Sequence, residues 1–179
     1  ACGCRAAIVY ASGYGETGDK AAEAELCEAA KRLDMAVMGV NCAGFMNCTK
    51  GIYPFGMLFS SAKSGGIAII SQSGKICLNM SQVDYMGYSY LISSGNSTCL
   101  LIEDYIEFLI DDENTKVIGL YMEGIKNPKK FVKVLTKAAE QRKPIVILKV
   151  GRSEKGSRVA ASHTGSLSGS DKSFDALCK

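Results

Sequence analysis

Several residue types that support common functions are scarce in this chain. Its 179 residues contain no tryptophan, three prolines and a single histidine, and 21 basic against 18 acidic side chains leave a net charge of only +3. So small and dispersed a charge gives no indication of nucleic-acid binding. No apolar run approaches the length of a membrane span, and no signal-peptide pattern opens the sequence. We therefore expect a cytoplasmic protein that acts without nucleic acid or membrane.

Cysteine is plentiful, but its spacing does not indicate a metal site. The eight cysteines include no CxxC pair, and only one histidine is available to complete a ligand set. A zinc site would need thiolates at irregular spacing. We predict reduced thiols and no bound metal. The cysteines are Cys2, Cys4, Cys27, Cys42, Cys48, Cys77, Cys99 and Cys178.

Short apolar runs alternate with segments of helical periodicity along most of the chain. Such alternation predicts an α/β fold with a parallel, doubly wound sheet. Residues 40–64 lack clear periodicity and are interpreted as a connector. The predicted strands are 6–10, 35–38, 66–70, 89–93, 117–122 and 144–150, and the predicted helices are 19–34, 74–86, 100–109 and 128–142.

The only histidine, His163, lies in a run of small and polar residues, Ser-His-Thr-Gly-Ser. Imidazole is the one side chain whose ordinary pKa lies near neutrality, so His163 is a candidate for group transfer. The segment 151–158 before it is rich in glycine, serine and cations, which is typical of a movable loop. A hydrogen-bonded loop histidine without a chemical role is the alternative that the residues leave open.

Two further candidates follow predicted strands, where functional groups of parallel sheets gather. Ser71-Gln72-Ser73-Gly74 joins a strand to a helix, and the N–H groups of that helix start could hold an anion. A simple helix cap would have the same sequence. Glu123 follows the strand 117–122 and could orient an imidazole, although a carboxylate at such a position is by itself more often an exposed loop glutamate.

Taken together, the motifs resemble those of the NDP-forming acyl-CoA synthetases, relatives of the succinyl-CoA synthetase α subunit. The resemblance extends over nearly the whole chain, and its most specific part is the run around His163. It rests on the motifs Ser-Gly-Tyr-Gly-Glu (12–16), Gly-Val-Asn-Cys-Ala-Gly (39–44), Ile-Ser-Gln-Ser-Gly (70–74), Gly-Asn (95–96), Tyr-Met-Glu-Gly-Ile (121–125), Lys-Val-Gly-Arg-Ser-Glu (149–154) and Ser-His-Thr-Gly-Ser (162–166).

The resemblance implies a division of the chain. Residues 1–50 would be the C-terminal part of a Rossmann-like CoA-binding domain, 51–64 a connector and 65–179 a flavodoxin-like ligase domain. The early half of the CoA-binding domain and any ATP-grasp region are missing, so we expect a fragment. Val40 stands where the family usually has proline.

The resemblance also implies roles for individual residues. His163 would be the phosphohistidine and Glu123 its orienting carboxylate, with no metal at the site. The residues near phosphate would be Ser71, Gln72, Ser73, Gly74, Thr164, Gly165 and Ser166, and those near CoA or the acyl group Gly13, Glu16, Asn41, Cys42, Gly44, Gly95 and Asn96.

The implied reaction interconverts acyl-CoA, phosphate and ADP with a carboxylic acid, CoA and ATP. CoA and the nucleotide would be substrates, no cofactor would be tightly bound, and Mg²⁺ would accompany the nucleotide on an ATP-grasp domain or subunit. Acetate, other short acids and aryl acids of the ferulate type are all open as the acyl group. An oligomer is expected.

Two other functions are compatible with the residues. Ser73, Glu123 and His163 follow the chain order of an α/β-hydrolase triad, but the G-x-S-x-G nucleophile elbow is missing. A non-enzymatic, CoA-binding regulatory module is the second alternative. Retention of both His163 and Glu123 argues against that second function.

Overall fold

The computed structural model describes residues 3–57 and 62–151 of the chain. Seven strands, four α-helices and one 3₁₀ turn (Gly15–Thr17) are assigned within these ranges. The strands are β1 (Ala6–Val9), β2 (Ala36–Gly39), β3 (Gly44–Asn47), β4 (Ser64–Ser71), β5 (Tyr88–Ser93), β6 (Val117–Met122) and β7 (Ile145–Lys149). The helices are α1 (Lys20–Arg32), α2 (Gly74–Ser81), α3 (Ile102–Asp111) and α4 (Pro128–Glu140).

The first part of the fold is a single β1-α1-β2 unit. β1 and β2 pair in parallel, with Ala6 opposite Ala36 and Val9 opposite Gly39. Helix α1 begins where the Asp19 side chain accepts a hydrogen bond from the N–H of Ala22, 3.0 Å away. Its alanine-, glutamate- and lysine-rich sequence is intrinsically helix-favouring. A two-stranded sheet has little stability of its own, so this unit depends on packing against the rest of the chain.

The second sheet has five strands in the order β3-β5-β4-β6-β7 and carries helices on both faces. Alternate residues of β4 point to opposite sides, as the two-residue period of a strand requires. Ala68 and Ile70 join a core with α3 and α4, whereas Ile67 and Ile69 pack in a second cluster with Met80 of α2. This arrangement confirms the predicted α/β class with predominantly parallel strands.

Strand β3 was not predicted, because residues 40–64 were interpreted as a connector. It pairs antiparallel with β5, with Gly44 opposite Ser93 and Asn47 opposite Tyr90, so the second sheet is mixed rather than purely parallel. Isolated bridges to Ile52 and Phe55 lie along its other side. A four-residue strand is too short to show a periodicity, and long-range pairing supplies its order.

The segment between β5 and α3, residues 94–101, connects the two sheets. The N–H groups of Thr98 and Leu100 donate to Gly39 and Val37 of β2, at 2.9 and 3.2 Å. Met38 of β2 is buried in the same core as Ile92 and Ile106. The β1-α1-β2 unit therefore shares its core with the second sheet.

Helix α2 ends at Ser81, five residues before the predicted end at Met86. The N–H groups of Gln82 and Val83 close the helix on the carbonyls of Asn79 and Met80. The chain must turn here to enter β5 at Tyr88. Met86 packs against the core after that turn, which explains why its apolar side chain extended the helical pattern.

Among the described residues, no helix combines the length and the apolar character that crossing a bilayer requires.

Candidate functional site

The carboxyl ends of β4 and β6 bring two predicted site segments together. The two strands are neighbours and Ser71 is opposite Tyr121 in their register. The chain leaving β4 enters α2 through Gln72 and Ser73, and the chain leaving β6 continues directly into Glu123. The turn that opens α2 therefore lies beside the turn that carries Glu123, at the edge where parallel α/β sheets usually bind ligands.

Gln72 joins these two turns through its side chain. Its Oε1 accepts hydrogen bonds from the N–H groups of Glu123 and Gly124, at 2.5 and 3.1 Å. Its Nε2 donates to the carbonyl of Gly124 at 3.3 Å, and its own backbone N–H donates to Tyr121. The residue is only 6% exposed. These bonds fix the backbone at Glu123 and so give Gln72 a positioning role, while its predicted contact with phosphate stays a prediction.

The start of α2 is built by Ser71, Ser73 and Gly74. The fully buried Ser71 hydroxyl accepts from the N–H of Ser73 at 3.0 Å and donates to its carbonyl at 2.8 Å. The Ser73 side chain makes no capping hydrogen bond to the helix. A Cβ on Gly74 would lie 2.9 Å from the Cβ of Ala43, so a larger residue would displace the turn. The first N–H groups of a helix have no partner within it and can bind an anion.

Glu123 is half-buried at the end of β6. Burial, followed by the charge of Glu123, raises the pKa of the Tyr121 phenol, which places that carboxylate close to the end of the strand. A carboxylate fixed at this edge can accept an imidazole N–H and hold the ring in one orientation. The predicted partner His163, together with Thr164, Gly165 and Ser166, lies outside residues 3–57 and 62–151, so these roles stay predictions.

A second polar cluster forms where the β1-α1-β2 unit meets the segment 94–101. The Asn96 side chain donates to Glu16 and accepts from Asn41 at 3.2 Å, and it is 1% exposed. Glu16 also accepts from the N–H of Gly13 at 2.5 Å. Burial acts to raise the pKa of Glu16, but the hydrogen bonds, foremost that from Gly13, outweigh it and lower the pKa. Four of the seven residues predicted near CoA or the acyl group are therefore brought together.

Two members of this cluster were not predicted. Glu23 of α1 accepts from the Thr98 hydroxyl at 3.0 Å and from the Asn96 side chain at 3.4 Å. Nothing local in the sequence marks either residue, because Glu23 resembles the other acidic residues of α1 and Thr98 follows an ordinary turn. Only the long-range pairing of segment 94–101 with β2 makes them neighbours.

The remaining three predicted residues, Gly95, Cys42 and Gly44, have structural surroundings. Gly95 has φ +58°, and a Cβ there would lie 2.3 Å from the carbonyl oxygen of Val40, so only glycine fits without displacing the backbone. The buried Cys42 thiol donates to the carbonyl of Val9 at 3.5 Å, and burial raises its pKa. Gly44 lies within β3. The predicted position of these three residues near CoA or the acyl group stays a prediction.

Comparison with known proteins gives the same assignment as the motifs. The chain is 40% identical to the α subunit of ADP-forming acetate–CoA ligase II of Pyrococcus furiosus, with 99% of this chain aligned to 39% of the relative. It is 32% identical to a trans-feruloyl-CoA synthase from an unknown prokaryotic organism, over 93% of this chain and 25% of the relative.

A solved structure of high similarity is the dinucleotide-forming acetyl-coenzyme A synthetase 1 of Candidatus Korarchaeum cryptofilum, in complex with phosphate and ADP. It superposes with a TM-score of 0.88 at 35% identity, over 97% of this chain and 38% of that one. The chain thus spans well under half the length of the relatives it matches.

The family of succinyl-CoA ligase like flavodoxin domains matches residues 64–179, the region that contains the Gln72 and Glu123 turns. The resemblance stated from the motifs is thereby confirmed. Because that match covers more than half of the chain, the protein belongs to the family of succinyl-CoA ligase like flavodoxin domains.

Proposed function

We propose that this chain is part of an NDP-forming acyl-CoA synthetase and carries its phosphohistidine apparatus. The observation that carries the proposal is the Gln72 side chain, which fixes the Glu123 turn beside the start of α2. A carboxylate and a helix N-terminus held side by side form an arrangement that can orient an imidazole and receive a phosphoryl group. The names of the relatives, which are ADP-forming and acyl-CoA synthetases, support the same reaction class.

The reaction would proceed in three reversible transfers. Phosphate oxygen attacks the thioester carbonyl of acyl-CoA, which releases CoA thiolate and leaves an acyl phosphate. The neutral imidazole of His163 then attacks phosphorus, which releases the carboxylate. The phosphohistidine finally passes its phosphoryl group to ADP, which yields ATP and restores the imidazole. Each step exchanges one bond to carbon or phosphorus for another, so no oxidant or reductant is needed.

The residues predicted at the phosphate site have distinct parts in this scheme. The first N–H groups of α2 would hold phosphate and the acyl phosphate, while the helix dipole offsets their charge. Glu123 would accept the N–H of the His163 ring and leave the other nitrogen free to attack phosphorus. The Ser71 side chain would hold the turn that opens α2, and the Gln72 side chain would hold the turn at Glu123, each through hydrogen bonds to the backbone. Thr164, Gly165 and Ser166 would supply further phosphate contacts.

The acyl and CoA groups are assigned to the second polar cluster. Asn96, Glu16, Asn41 and Gly13 form a connected hydrogen-bond network where the β1-α1-β2 unit meets the segment 94–101. Gly95 and Cys42 are the chain neighbours of Asn96 and Asn41, and Gly44 begins β3. Acetate or another short acid, or an aryl acid of the ferulate type, would be the acyl group, since relatives are named for acetate and for feruloyl-CoA.

The nucleotide would bind elsewhere. An ATP-grasp domain or subunit would supply the ADP site and the Mg²⁺ that accompanies it, and the relatives are long enough to contain such a region, because this chain aligns with only 39% and 38% of their length. We propose further that the enzyme is cytoplasmic and oligomeric and has no tightly bound cofactor.

The test is phosphorylation by γ-labelled ATP and Mg²⁺ of the full-length protein, assayed together with its ATP-grasp domain or subunit. We expect label that is labile in acid, stable in alkali and absent from a His163→Asn variant, with CoA binding retained. Label that survives this substitution would overturn the proposal. Labelling of Ser73 by a fluorophosphonate would instead favour the hydrolase, and CoA binding without any phosphorylation would favour the regulatory module.

A further inference from the structure

Helix α1 and the segment 94–101 bring two cysteines into contact. Their sulfur atoms are 2.6 Å apart, although Cys27 and Cys99 are separated by 72 positions in the sequence. Both are free thiols, and both are partly exposed. Two sulfurs in direct contact are close enough for a disulfide to form between them. No step of the proposed acyl-CoA reaction uses these two residues.

Hydrogen bonds around the two cysteines keep their sulfur atoms next to each other. Glu23 lies one helical turn before Cys27 and accepts a hydrogen bond from Thr98, the residue that precedes Cys99. The N–H groups on either side of Cys99 bond to β2, at Gly39 and Val37. The contact is therefore fixed by the fold on both sides and does not depend on the two side chains alone.

Small molecules can reach the thiols. A cavity of about 610 Å³ opens beside them and is lined by both cysteines together with polar residues such as Lys31 and Asp34. The other described cysteines lack this combination. Cys42, Cys48 and Cys77 are buried, while Cys4 is exposed.

We propose that Cys27 and Cys99 form an oxidisable dithiol whose disulfide crosslinks α1 to the segment 94–101. With hydrogen peroxide as the oxidant, the sulfur of Cys27 attacks one peroxide oxygen, which breaks the O–O bond and gives a sulfenic acid and water. The sulfur of Cys99 then displaces the hydroxyl group from that sulfenic acid. The thiol proton of Cys99 leaves with it as a second molecule of water, so two thiols and one peroxide give one disulfide and two waters.

The order of these steps follows from the surroundings of Cys99. Burial, with further contributions from the Cys27 thiol and the Glu23 carboxylate, raises the pKa of Cys99 to about 12, and the opposing charge of Lys126 is a smaller influence. Cys99 is therefore protonated near neutral pH and is a poor initial nucleophile, since thiolate is the reactive form. In the proposed sequence Cys99 therefore acts as the resolving thiol, after Cys27 has reacted with peroxide.

The crosslink would fix segment 94–101, which carries Gly95 and Asn96, against the β1-α1-β2 unit. Closing a loop of more than 70 residues lowers the conformational entropy of the unfolded chain. We expect the midpoint of thermal unfolding to rise by about 5–10 °C on oxidation and to return when a dithiol reductant is added. The inference does not depend on the proposed acyl-CoA chemistry.

The experiment oxidises the intact protein with hydrogen peroxide, blocks remaining thiols in denaturant and identifies crosslinked peptides by mass spectrometry. We expect the Cys27–Cys99 peptide pair to be at least about tenfold more abundant than any other pair, because the fold gives these thiols a high effective concentration. Cys27→Ser and Cys99→Ser should each abolish it, and the control Cys4→Ser should leave it unchanged.

Two further measurements separate this geometry from accidental oxidation. A Cys99→Ser variant should accumulate sulfenic acid at Cys27 that dimedone traps, whereas Cys27→Ser should show no such adduct at Cys99. Urea at about 8 M unfolds most ordinary domains. Oxidation of the protein under these conditions should remove the preference for the Cys27–Cys99 pair. Equal crosslinking in urea, a dominant pair elsewhere, or a thiol at Cys99 that stays free while Cys4 is fully oxidised would each overturn the proposal.

Discussion

Replacing Gln72 with alanine tests whether this side chain holds the Glu123 turn. The substitution removes the partners of three backbone groups, the N–H of Glu123 and the N–H and carbonyl of Gly124. A buried backbone group left without a partner costs about 1–3 kcal/mol. Taking the low end for each group, because water can enter the space vacated, the Gln72→Ala variant should lose about 3 kcal/mol of unfolding free energy.

Urea unfolding followed by circular dichroism measures that loss, with the slope of the transition expected to stay unchanged. Gln72→Glu is the closest variant in shape, but it places a buried carboxylate against the Gly124 carbonyl oxygen and beside Glu123, so its loss should be at least as large near neutral pH and smaller at acidic pH, where the new carboxyl is protonated. Gln82→Ala is a matched control, because Gln82 is exposed at the end of α2 and should change stability by no more than about 0.5 kcal/mol.

Under the proposed function, His163 of the Gln72→Ala variant should also be phosphorylated about 10–100-fold more slowly. A small displacement of the Glu123 carboxylate would misplace the imidazole, and such misplacements are costly in rate. The two readouts separate the claims. A Gln72→Ala protein as stable as its Gln82→Ala control would refute the positioning role. Lost stability with unchanged phosphorylation would keep the structural role but remove its link to catalysis.

Three other substitutions probe different parts of the molecule. Glu123→Gln should lower the rate of phosphate incorporation about 10–100-fold in rapid-quench assays while the folded structure is retained, and an unchanged rate would contradict its orienting role. Glu16 has a pKa lowered below its usual 4.5, so its contribution to stability is present above that pH and lost as the pH falls through the lowered value. Glu16→Gln should therefore flatten the decline of unfolding free energy between about pH 5 and 3, and an equally steep decline would refute the assignment. Gly95→Ala should cost about 3 kcal/mol, because its Cβ would meet the Val40 carbonyl oxygen at 2.3 Å in addition to adopting a positive φ. Gly51→Ala, with a similar φ of +65° and nothing within 4 Å, should cost only about 1 kcal/mol, and equal losses would show that space at Gly95 is not limiting.

The sequence predicted best those elements whose order is local or whose burial is continuous. The apolar run at 66–70 predicted β4, which spans Ser64–Ser71, and the strand 117–122 matches β6 at both ends. Buried parallel strands are apolar on both faces, so they stand out in a single sequence. Helix α4 begins at the predicted Pro128, where Asn127 caps the helix and proline suits its first position.

Features that depend on distant partners could not be predicted in the same way. Strand β3 has four residues and takes its order from pairing with β5. The Glu23–Thr98 contact joins residues 75 positions apart, and no local pattern marks either one. The candidate site could be predicted in part. Gln72 was identified from its position after β4, but only the structure shows that its side chain points toward Glu123.

The antiparallel strand β3 has a consequence for how the second sheet can be extended. On one side it pairs with β5, and on the other it bridges to Ile52 and Phe55 of its own following segment. A hydrogen-bonding edge occupied in this way offers no template for a further strand. Among the described strands of this sheet, the opposite edge belongs to β7. Within the described residues, a further strand could therefore pair with this sheet only beside β7, so the sheet can be extended in one direction only.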